Sequence, residues 1–259
     1  LGLYNNSKYA EYNGISYSQA GNNQLKWETS EKIDYGVDLA FLNNRLKFTY
    51  DYFINNQDGL ILAVPQPLSL GVPGNSISQN IGSLKNSGHE ISVEASPFKS
   101  ENFEWTLTAN LSLVKSKVNT LVNGQDINYV DADNFNTGNN ILREGESPYA
   151  LYGFKYWGVN PANGNPVYYK ADGSLVQGNI DTQAYRVFDP NNPSDISVAS
   201  SLSTSDKSIL GSVLPTYFGA FNSNMRYKDF DLGFMFRFSG GNKIHNSTRR
   251  DALTMNFNN

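Results

Sequence analysis

Two neighbouring stretches of the chain alternate strictly between apolar and polar side chains. Apolar residues occupy every second position in residues 33–41 and again in residues 46–54, and the turn Asn43-Asn44 lies between them. Successive side chains of a strand point to opposite faces, so this pattern predicts a hairpin with one apolar and one polar face. Each arm has more apolar positions in phase than an average strand of ~5–6 residues can hold. Such length fits a transmembrane β-strand or a long soluble sheet.

Further strands are predicted along the chain wherever the alternation returns. A third and a fourth strand are predicted near residues 88–96 and 105–113, and the last two at 217–227 and 230–239. A Tyr-rich fifth strand at 148–158 and a short sixth at 166–170 are weaker. Residues 1–26, 56–86, 117–147 and 172–213 lack sustained alternation and are predicted to be loops.

The predicted connections are alternately short and long, as in outer-membrane barrels with short periplasmic turns and long external loops. Aromatic residues gather beside the short turns, which suits an interfacial girdle. They are Phe41, Phe48, Phe98, Phe103, Trp105, Tyr227 and Phe230. The pattern predicts an all-β fold, an antiparallel transmembrane β-barrel segment. The alternative is a secreted β-sandwich that binds glycans on aromatic-bearing loops, its aromatics covering the open end of the core.

The composition of the chain does not decide between the transmembrane barrel and the secreted sandwich. A hydrophobic content of 39% and a mean hydropathy of −0.46 suit a soluble protein, but a barrel strand also spends half its residues on the lumen. No apolar run approaches the ~18–20 residues of a membrane helix. The net charge of −4 argues against nucleic acid as a partner. The absence of cysteine excludes disulfides and thiolate metal sites.

Enzymatic motifs are weak or missing, so the chain is not expected to be an enzyme. His89 and His245 are the only histidines, too few for a three-histidine zinc site. No nucleophile elbow or HExxH run accompanies them. Asp131 and Asp133 resemble the start of a calcium loop, but Phe135 stands where a third oxygen ligand belongs. No cofactor and no metal are predicted.

Several ordered motifs resemble the SusC/RagA family of TonB-linked outer-membrane proteins. They are LKWET at 25–29, FLNNRL at 41–46, QNIG at 79–82, KNSGHE at 85–90, GSVLPTYFGAF at 211–221 and YKDFDL at 227–232. One departure is that the acidic, Gly-rich segment often found before the late strands is missing; Ala171-Asp172-Gly173-Ser174 stands nearby without its ligands.

The resemblance implies a share in TonB-dependent import of glycans or peptides across the outer membrane of Bacteroidota. Members of the family are barrels of 22 strands that pair with a SusD-like surface lipoprotein and receive energy from TonB through an N-terminal plug. Residues 1–259 would then form about seven to eight strands of such a barrel, with the plug and closing strands outside this chain. A passive outer-membrane porin or adhesin barrel is a further alternative.

On this interpretation the two faces and the loops have separate roles. Asp34, Asp38, Lys47, Asp51, Glu90, Glu94, Asn110 and Arg237 are predicted to line the lumen. Ile33, Tyr35, Val37, Phe48, Tyr50, Leu232, Phe234 and Phe236 are predicted to face lipid. Long loops on a rigid scaffold carry recognition, so a substrate site is predicted at Asp131, Asp133, Asn134, Phe135 and Asn136, which combine hydrogen-bonding groups with one ring.

Overall fold

The computed structural model describes residues 2–121, 124–128, 140–178, 184–246 and 248, and within these ranges the chain is built from antiparallel strands. In chain order the strands are β1 (Leu3–Tyr9), β2 (Tyr12–Gln19), β3 (Thr29–Phe41), β4 (Leu46–Asp58), β5 (Ile61–Pro65), β6 (Ser76–Asn80), β7 (Ser83–Lys99), β8 (Phe103–Thr120), β9 (Ile127–Asn128), β10 (Asn140–Leu142), β11 (Ala150–Gly153), β12 (Tyr156–Val159), β13 (Pro166–Tyr169), β14 (Leu175–Gly178), β15 (Tyr185–Val187), β16 (Ala199–Ser200), β17 (Ser208–Ser212), β18 (Tyr217–Tyr227) and β19 (Phe230–Gly240). Short 3₁₀ turns lie at Leu68–Leu70, Pro73–Asn75 and Thr204–Asp206. None of the helical segments in these ranges is long and apolar enough to cross a bilayer.

Six long strands form one antiparallel sheet, here called the wall, in the order β19-β18-β8-β7-β4-β3. The predicted hairpin is confirmed and is longer than predicted, because β3 and β4 each have 13 residues and pair along their whole length. β8 has 18 residues, and it pairs without a register shift over all of β18. The unbroken register matters because it places alternate residues of neighbouring strands on the same face.

The connections of the wall sort by length to its two ends. Residues 42–45, 100–102 and 228–229 form the short turns, which define the short-turn end. Residues 59–82 and 121–216 form the connections at the other end, called here the long-connection end. The turn after β3 contains Leu42, Asn43 and Asn44 with positive φ angles of 54° to 64°, a conformation that Asn tolerates better than most residues. The predicted alternation of short and long connections is confirmed.

The wall has six strands within the described residues, and the predicted fifth and sixth strands do not belong to it. Residues 148–158 divide between β11, which pairs with β10 and β17, and β12, which pairs with β13. Of the predicted seven to eight wall strands, the described residues therefore show six. Alternation reports that a segment is extended and does not report its partner, so short strands in small sheets were counted as wall strands.

Residues 1–26 and the long connections contain strands where loops were predicted. β1 and β2 pair as a hairpin through seven residue pairs, and β5 and β6 form a second hairpin. The sequence hides β1 and β2 because polar residues such as Asn6 and Ser7 occupy both of their faces, which removes the two-residue period. Residues 172–213, predicted as a loop, contain β14 to β17.

The chain divides into two units, and they bury their apolar residues very differently. The first comprises residues 1–127, 142–148 and 214–242 and holds the wall; the second comprises residues 128–141, 149–213 and 243–259. In the second unit the five-stranded sheet β12 to β16 buries Val167, Val176 and Phe188 almost completely, as a water-soluble fold does. In the first unit most wall side chains are exposed or half-buried.

Candidate functional site

One face of the wall, called here the apolar face, carries aliphatic and aromatic side chains across all six strands. A row that starts at Leu39 continues through Phe48, Val93, Ala109 and Phe221 to Phe236. The exposed members of this face include Ile33, Tyr35, Val37, Leu39, Phe41, Leu113, Phe221, Leu232, Phe234, Phe236 and Phe238, each at least 37% exposed. The eight residues predicted to face lipid all lie on this face, where Phe48 and Tyr50 are half-buried and the other six are exposed. That they face lipid stays a prediction.

The height of the apolar face matches a bilayer rather than a soluble core. From Ile33 to Phe41 the strand rises about 26 Å at ~3.3 Å per residue. With the ~35–45° tilt of barrel strands this gives roughly 20 Å, close to the ~25 Å apolar band of outer-membrane barrels. The stretch from Ile33 to Phe41 alone therefore covers most of the height of that apolar band.

Aromatic rings cluster at the short-turn end of the apolar face, as predicted for a girdle. The rings of Phe98 and Trp105 stack with centroids 6.0 Å apart, and Phe98 also contacts Phe103 at 6.4 Å. The Trp105 indole N–H donates to the Ser223 hydroxyl at 3.0 Å, and Ser223 is almost fully buried. This bond satisfies the one polar group of the indole and of its neighbour on an otherwise apolar face, which favours the interfacial position of a tryptophan.

The opposite face, called here the polar face, is hollowed and lined by charged and amide side chains. Three depressions lie on it, with volumes of about 340, 1240 and 600 Å³. Their linings include Lys47, Glu94, Asn110, Arg226 and Arg237. The charged and amide groups around these depressions suit a face in contact with water.

The register places all eight predicted lumen residues on the polar face. Lys47 forms an ion pair with Glu94 at 3.0 Å, and Thr49 donates to Asp38 at 2.7 Å. Ser112 contacts Glu90 at 3.4 Å. These residues therefore hydrogen-bond to one another and to neighbouring hydroxyl groups of the polar face.

Sequence reasoning missed a second ion-pair network, near the short turns. Glu104 pairs with Arg226 at 2.6 Å and with Lys99 at 3.4 Å. The two-residue phase of β8 already placed Glu104 opposite Trp105, so its face was readable from the sequence. Its partners were not, because they come from separate strands that only the register brings together.

The second unit contains a pocket of about 590 Å³ that the sequence did not indicate. Its lining includes Lys155, Tyr169, Lys170 and Asp206. The Lys155 ammonium lies 4.7 Å from the centroid of the Tyr169 ring, a cation–π distance. The pocket therefore offers ammonium groups and a ring face to a ligand.

The carboxylate of Asp206 accepts hydrogen bonds from the backbone of two neighbouring segments. The backbone N–H groups of Ser203 and Ala171 donate to it at 2.9 and 3.2 Å, and these bonds hold the pKa of the Asp206 carboxyl below its usual value. A carboxyl whose pKa is lowered by folding contributes stability above its unfolded pKa, and this is lost as pH falls through the folded pKa.

Acidification below about pH 4 is therefore expected to loosen the segment around Asp206. Hydrogen exchange of peptides covering residues 199–212 measures this loosening. In Asp206→Asn, the protection is expected to be lower at pH 7 and to change less between pH 6 and pH 3. Glu101→Gln, a carboxylate in the turn between β7 and β8, is the control. If the protection of Asp206→Asn changed with pH as much as that of the wild type, the Asp206 carboxylate would not be the group that stabilises this segment.

Buried amides form a second polar cluster in the same unit. Asn160 and Gln177 are almost completely buried, and the Asn160 amide donates to the Gln177 side-chain oxygen at 2.7 Å and to the Pro193 carbonyl at 2.8 Å. Asn163 donates to the same Gln177 oxygen at 2.9 Å. The cluster joins the turn after β12 to β14 and to the 189–196 segment.

The substrate site predicted at Asp131, Asp133, Asn134, Phe135 and Asn136 lies outside the described residues. Within the described ranges no group of three His, Asp or Glu residues is arranged to hold a metal ion. His89, one of the two histidines, lies on the apolar face, and its Nδ1 is 2.8 Å from the Tyr50 hydroxyl.

Comparison with known proteins gives a consistent result. Residues 2–194 match the family described as TonB dependent receptor-like, beta-barrel. The chain is 32% identical over 241 residues to TonB-dependent receptor P3 of Formosa agariphila, covering 92% of this chain and 23% of that protein. It is 29% identical over 250 residues to TonB-dependent receptor SusC of Bacteroides thetaiotaomicron, covering 93% and 23%.

Solved structures agree with these relatives at the level of the fold. The structure of the RagAB peptide transporter superposes with a TM-score of 0.73 at 23% identity, covering 93% of this chain and 24% of that chain. The chain thus spans about a quarter of the length of the relatives it matches. The resemblance found in the motifs is confirmed, and the chain belongs to the TonB-dependent receptor-like β-barrel family, with SusC among its relatives.

Proposed function

We propose that this chain is part of the barrel wall and external loops of an outer-membrane, TonB-dependent importer. The observation that carries the proposal is the exposed apolar face, continuous over six paired strands and backed by a polar, hollowed face. A sheet can stand in lipid only if its backbone groups are paired and its lipid side is apolar. The soluble sandwich alternative would require a second layer over rows such as Val37 and Phe236, which are 50% and 65% exposed.

Residues 1–259 are proposed to be one partial barrel domain. β3 and β19 are the edges of the wall, and their outward backbone groups have no partner strand among the described residues. Such edges are costly in a hydrocarbon layer, where barrels close to remove them. We propose that additional strands of a 22-stranded barrel, as the family resemblance implies, close the wall.

The partners and substrate follow from the family in the same way. We propose a SusD-like surface lipoprotein at the long-connection end, TonB acting through a plug, and an oligosaccharide or peptide as substrate. Two structural neighbours are the RagAB peptide transporter and the RagAB peptide importer, which supports a peptide as one of the two substrate classes. The chain's role would be transport rather than catalysis.

An uptake experiment tests the proposal. Cells that express the full-length protein and cells that lack it are offered labelled oligosaccharides and labelled peptides, with TonB present or deleted. Uptake of one class should require both the protein and TonB. Uptake that needs the protein but not TonB would favour the passive porin, and identical uptake with and without the protein would contradict import.

Phe135 is the residue through which the proposed substrate site can be tested. A sugar or peptide that stacks on an aromatic ring gains about 1 kcal/mol or more, so Phe135→Ala should lower uptake at limiting substrate several-fold. Tyr12→Ala, which removes a ring that is 78% exposed in β2, is the matched control. Unchanged uptake in Phe135→Ala, with surface protein amount verified, would remove residues 131–136 as the site.

A further inference from the structure

We propose that Lys85, Lys115 and Lys117 form a binding site for the phosphate groups of an anionic outer-leaflet lipid. This inference rests on the proposed function, because that function places the long-connection end of the wall on the outside of the cell. The site lies on the membrane-facing side of the wall and is separate from the lumen.

The strand register places the three ammonium groups on one patch of the apolar face. Lys85 of β7 and Lys117 of β8 are direct cross-strand partners, and Lys115 is paired with Ser87 in the adjacent row. Counting in steps of two along β8 from Leu113 reaches Lys115 and then Lys117, and the register shows no shift between them. Along β8 the lysines therefore continue the apolar face beyond Leu113, and the row of Lys115 still holds Ile54 on β4.

The last row before the lysines is typical of a membrane interface. Tyr52, His89 and Leu113 are cross-strand partners there, and the Tyr52 and His89 rings have centroids 4.9 Å apart. Lys115 and Lys117 lie two and four residues beyond that row, which is roughly 5 and 10 Å higher for a tilted strand. The headgroup layer is about 5–7 Å thick on each side of the hydrocarbon, so the ammonium groups reach lipid phosphates.

The cluster lacks the carboxylate partners that the other wall lysines have. Lys47 and Lys99 on the polar face each pair with a glutamate within 3.4 Å. No ion pair joins Lys85, Lys115 or Lys117 to any residue in the described ranges.

The acidic residues that the structure describes near the cluster form no ion pair with its lysines. Asp58 lies two residues beyond Asn56, the partner of Lys85. Glu146 accepts the Val118 backbone N–H at 2.8 Å through its backbone carbonyl. Among the described residues no ion pair joins either carboxylate to a lysine of the cluster. The Glu144 carboxylate, close in sequence to the Gly145 that borders Lys117, accepts the Leu121 backbone N–H at 2.7 Å. Glu31 shares the row of Lys85 and Lys117 but is separated from Lys85 by Asn56.

Two like charges directly opposite each other on neighbouring strands destabilise a sheet. Lys85 and Lys117 are such a pair, so an external anion that bridges them relieves the repulsion. Half-buried Lys85 and exposed Lys115 and Lys117 surround the place where it would bind. A diphosphorylated lipid fits the site because its phosphates stand at ammonium height while its acyl chains cover the apolar face below.

Lipid retention by the full-length protein in neutral detergent tests the site. Native mass spectrometry would compare diphosphoryl lipid A with the same lipid after removal of its phosphates. Each lysine near an anionic surface contributes roughly five-fold to binding, so K85Q/K115Q/K117Q should bind the diphosphorylated lipid on the order of 100-fold more weakly. The triple arginine variant should restore binding, and higher salt should weaken it.

The control variant K8Q/K32Q/K47Q makes the same change of net charge away from the site. It should keep the wild-type preference for the phosphorylated lipid. Equal retention of both lipids by the wild type, or equal losses in the two glutamine variants, would overturn the inference. Failure of the proposed function itself would look different, because the protein would then stay monomeric without detergent and retain neither lipid.

Discussion

Replacing Phe236 by arginine is expected to destabilise the wall in a bilayer by about 2–4 kcal/mol, the cost of an arginine near the membrane midplane of a β-barrel. Phe236 lies in the middle of β19 on the apolar face, is 65% exposed and is paired with Phe221. Its ring would face acyl chains, and a guanidinium in its place must be desolvated or drag water into the hydrocarbon. Urea titration of the full-length protein folded into liposomes measures the difference in the free energy of unfolding.

The neighbouring residue provides a matched control. Met235 is also apolar, is 60% exposed and is adjacent in the same strand, but it lies on the polar face opposite Asn222. Met235→Arg should change the free energy of unfolding by less than about 1 kcal/mol, as is usual for a substitution at a solvated surface. Equal destabilisation by both variants would show that the two faces do not meet different solvents.

Replacing Gln177 by leucine is expected to destabilise the second unit by about 3 kcal/mol or more. Gln177 is 1% exposed; its side-chain oxygen accepts from Asn160 and Asn163, and its amide donates to the Val187 and Asp195 carbonyls at 3.3 and 3.4 Å. Leucine can form none of these hydrogen bonds, so its neighbours lose their partner. Each buried polar group left unsatisfied costs about 1–3 kcal/mol. Hydrogen exchange of the peptides that cover β13 to β15 measures the loss directly.

An exposed amide in the same unit gives the comparison. Asn192→Leu removes a side chain for which the structure shows no hydrogen bond among the described residues, and it should leave exchange within the equivalent of about 0.5 kcal/mol. The wall should keep its protection in both variants, because its strands pair with one another and not with β14. Unchanged exchange in Gln177→Leu would mean that the amide cluster does not hold the unit together.

The wall was predictable from the sequence because a lipid-facing side permits few exceptions. Rows such as Ile33 to Phe41 stay apolar at every second position over the height of the face, and that period identifies both the strand and its faces. Exceptions are tolerated on the polar side, where Phe53 and Met235 lie. The two faces of these strands could still be assigned, because the opposite side of each strand remains apolar at every second position.

The small sheets were not predictable from the same pattern. β10 and β15 have only three residues each, too few to show a period, and β1 and β2 are polar on both faces. Their pairing depends on partners that are distant in sequence. The burial of Asn160 likewise depends on the 189–196 segment, which packs against it from more than 25 residues away in sequence. The residues around Asn160 do not indicate that contact.

The polar sites were predictable only in part. Alternation assigned the lumen residues to one face, but the pair of Glu104 and Arg226 joins residues 122 positions apart, and only the register of β8 and β18 shows it. The lysine patch at Lys85, Lys115 and Lys117 depends on register for the same reason. A face can be read along one strand, whereas a cluster across strands requires the pairing.

Site-directed spin labelling of β19 tests the central claim most directly. The chain contains no cysteine, so single cysteines at positions 231 to 238 give one label each in this chain. In liposomes, collision with oxygen should peak at positions 232, 234, 236 and 238, and collision with a water-soluble nickel complex should peak at the positions between them. Equal access of the nickel complex to both sets, or protection of the even positions from both reagents, would contradict a wall with lipid on one side and water on the other.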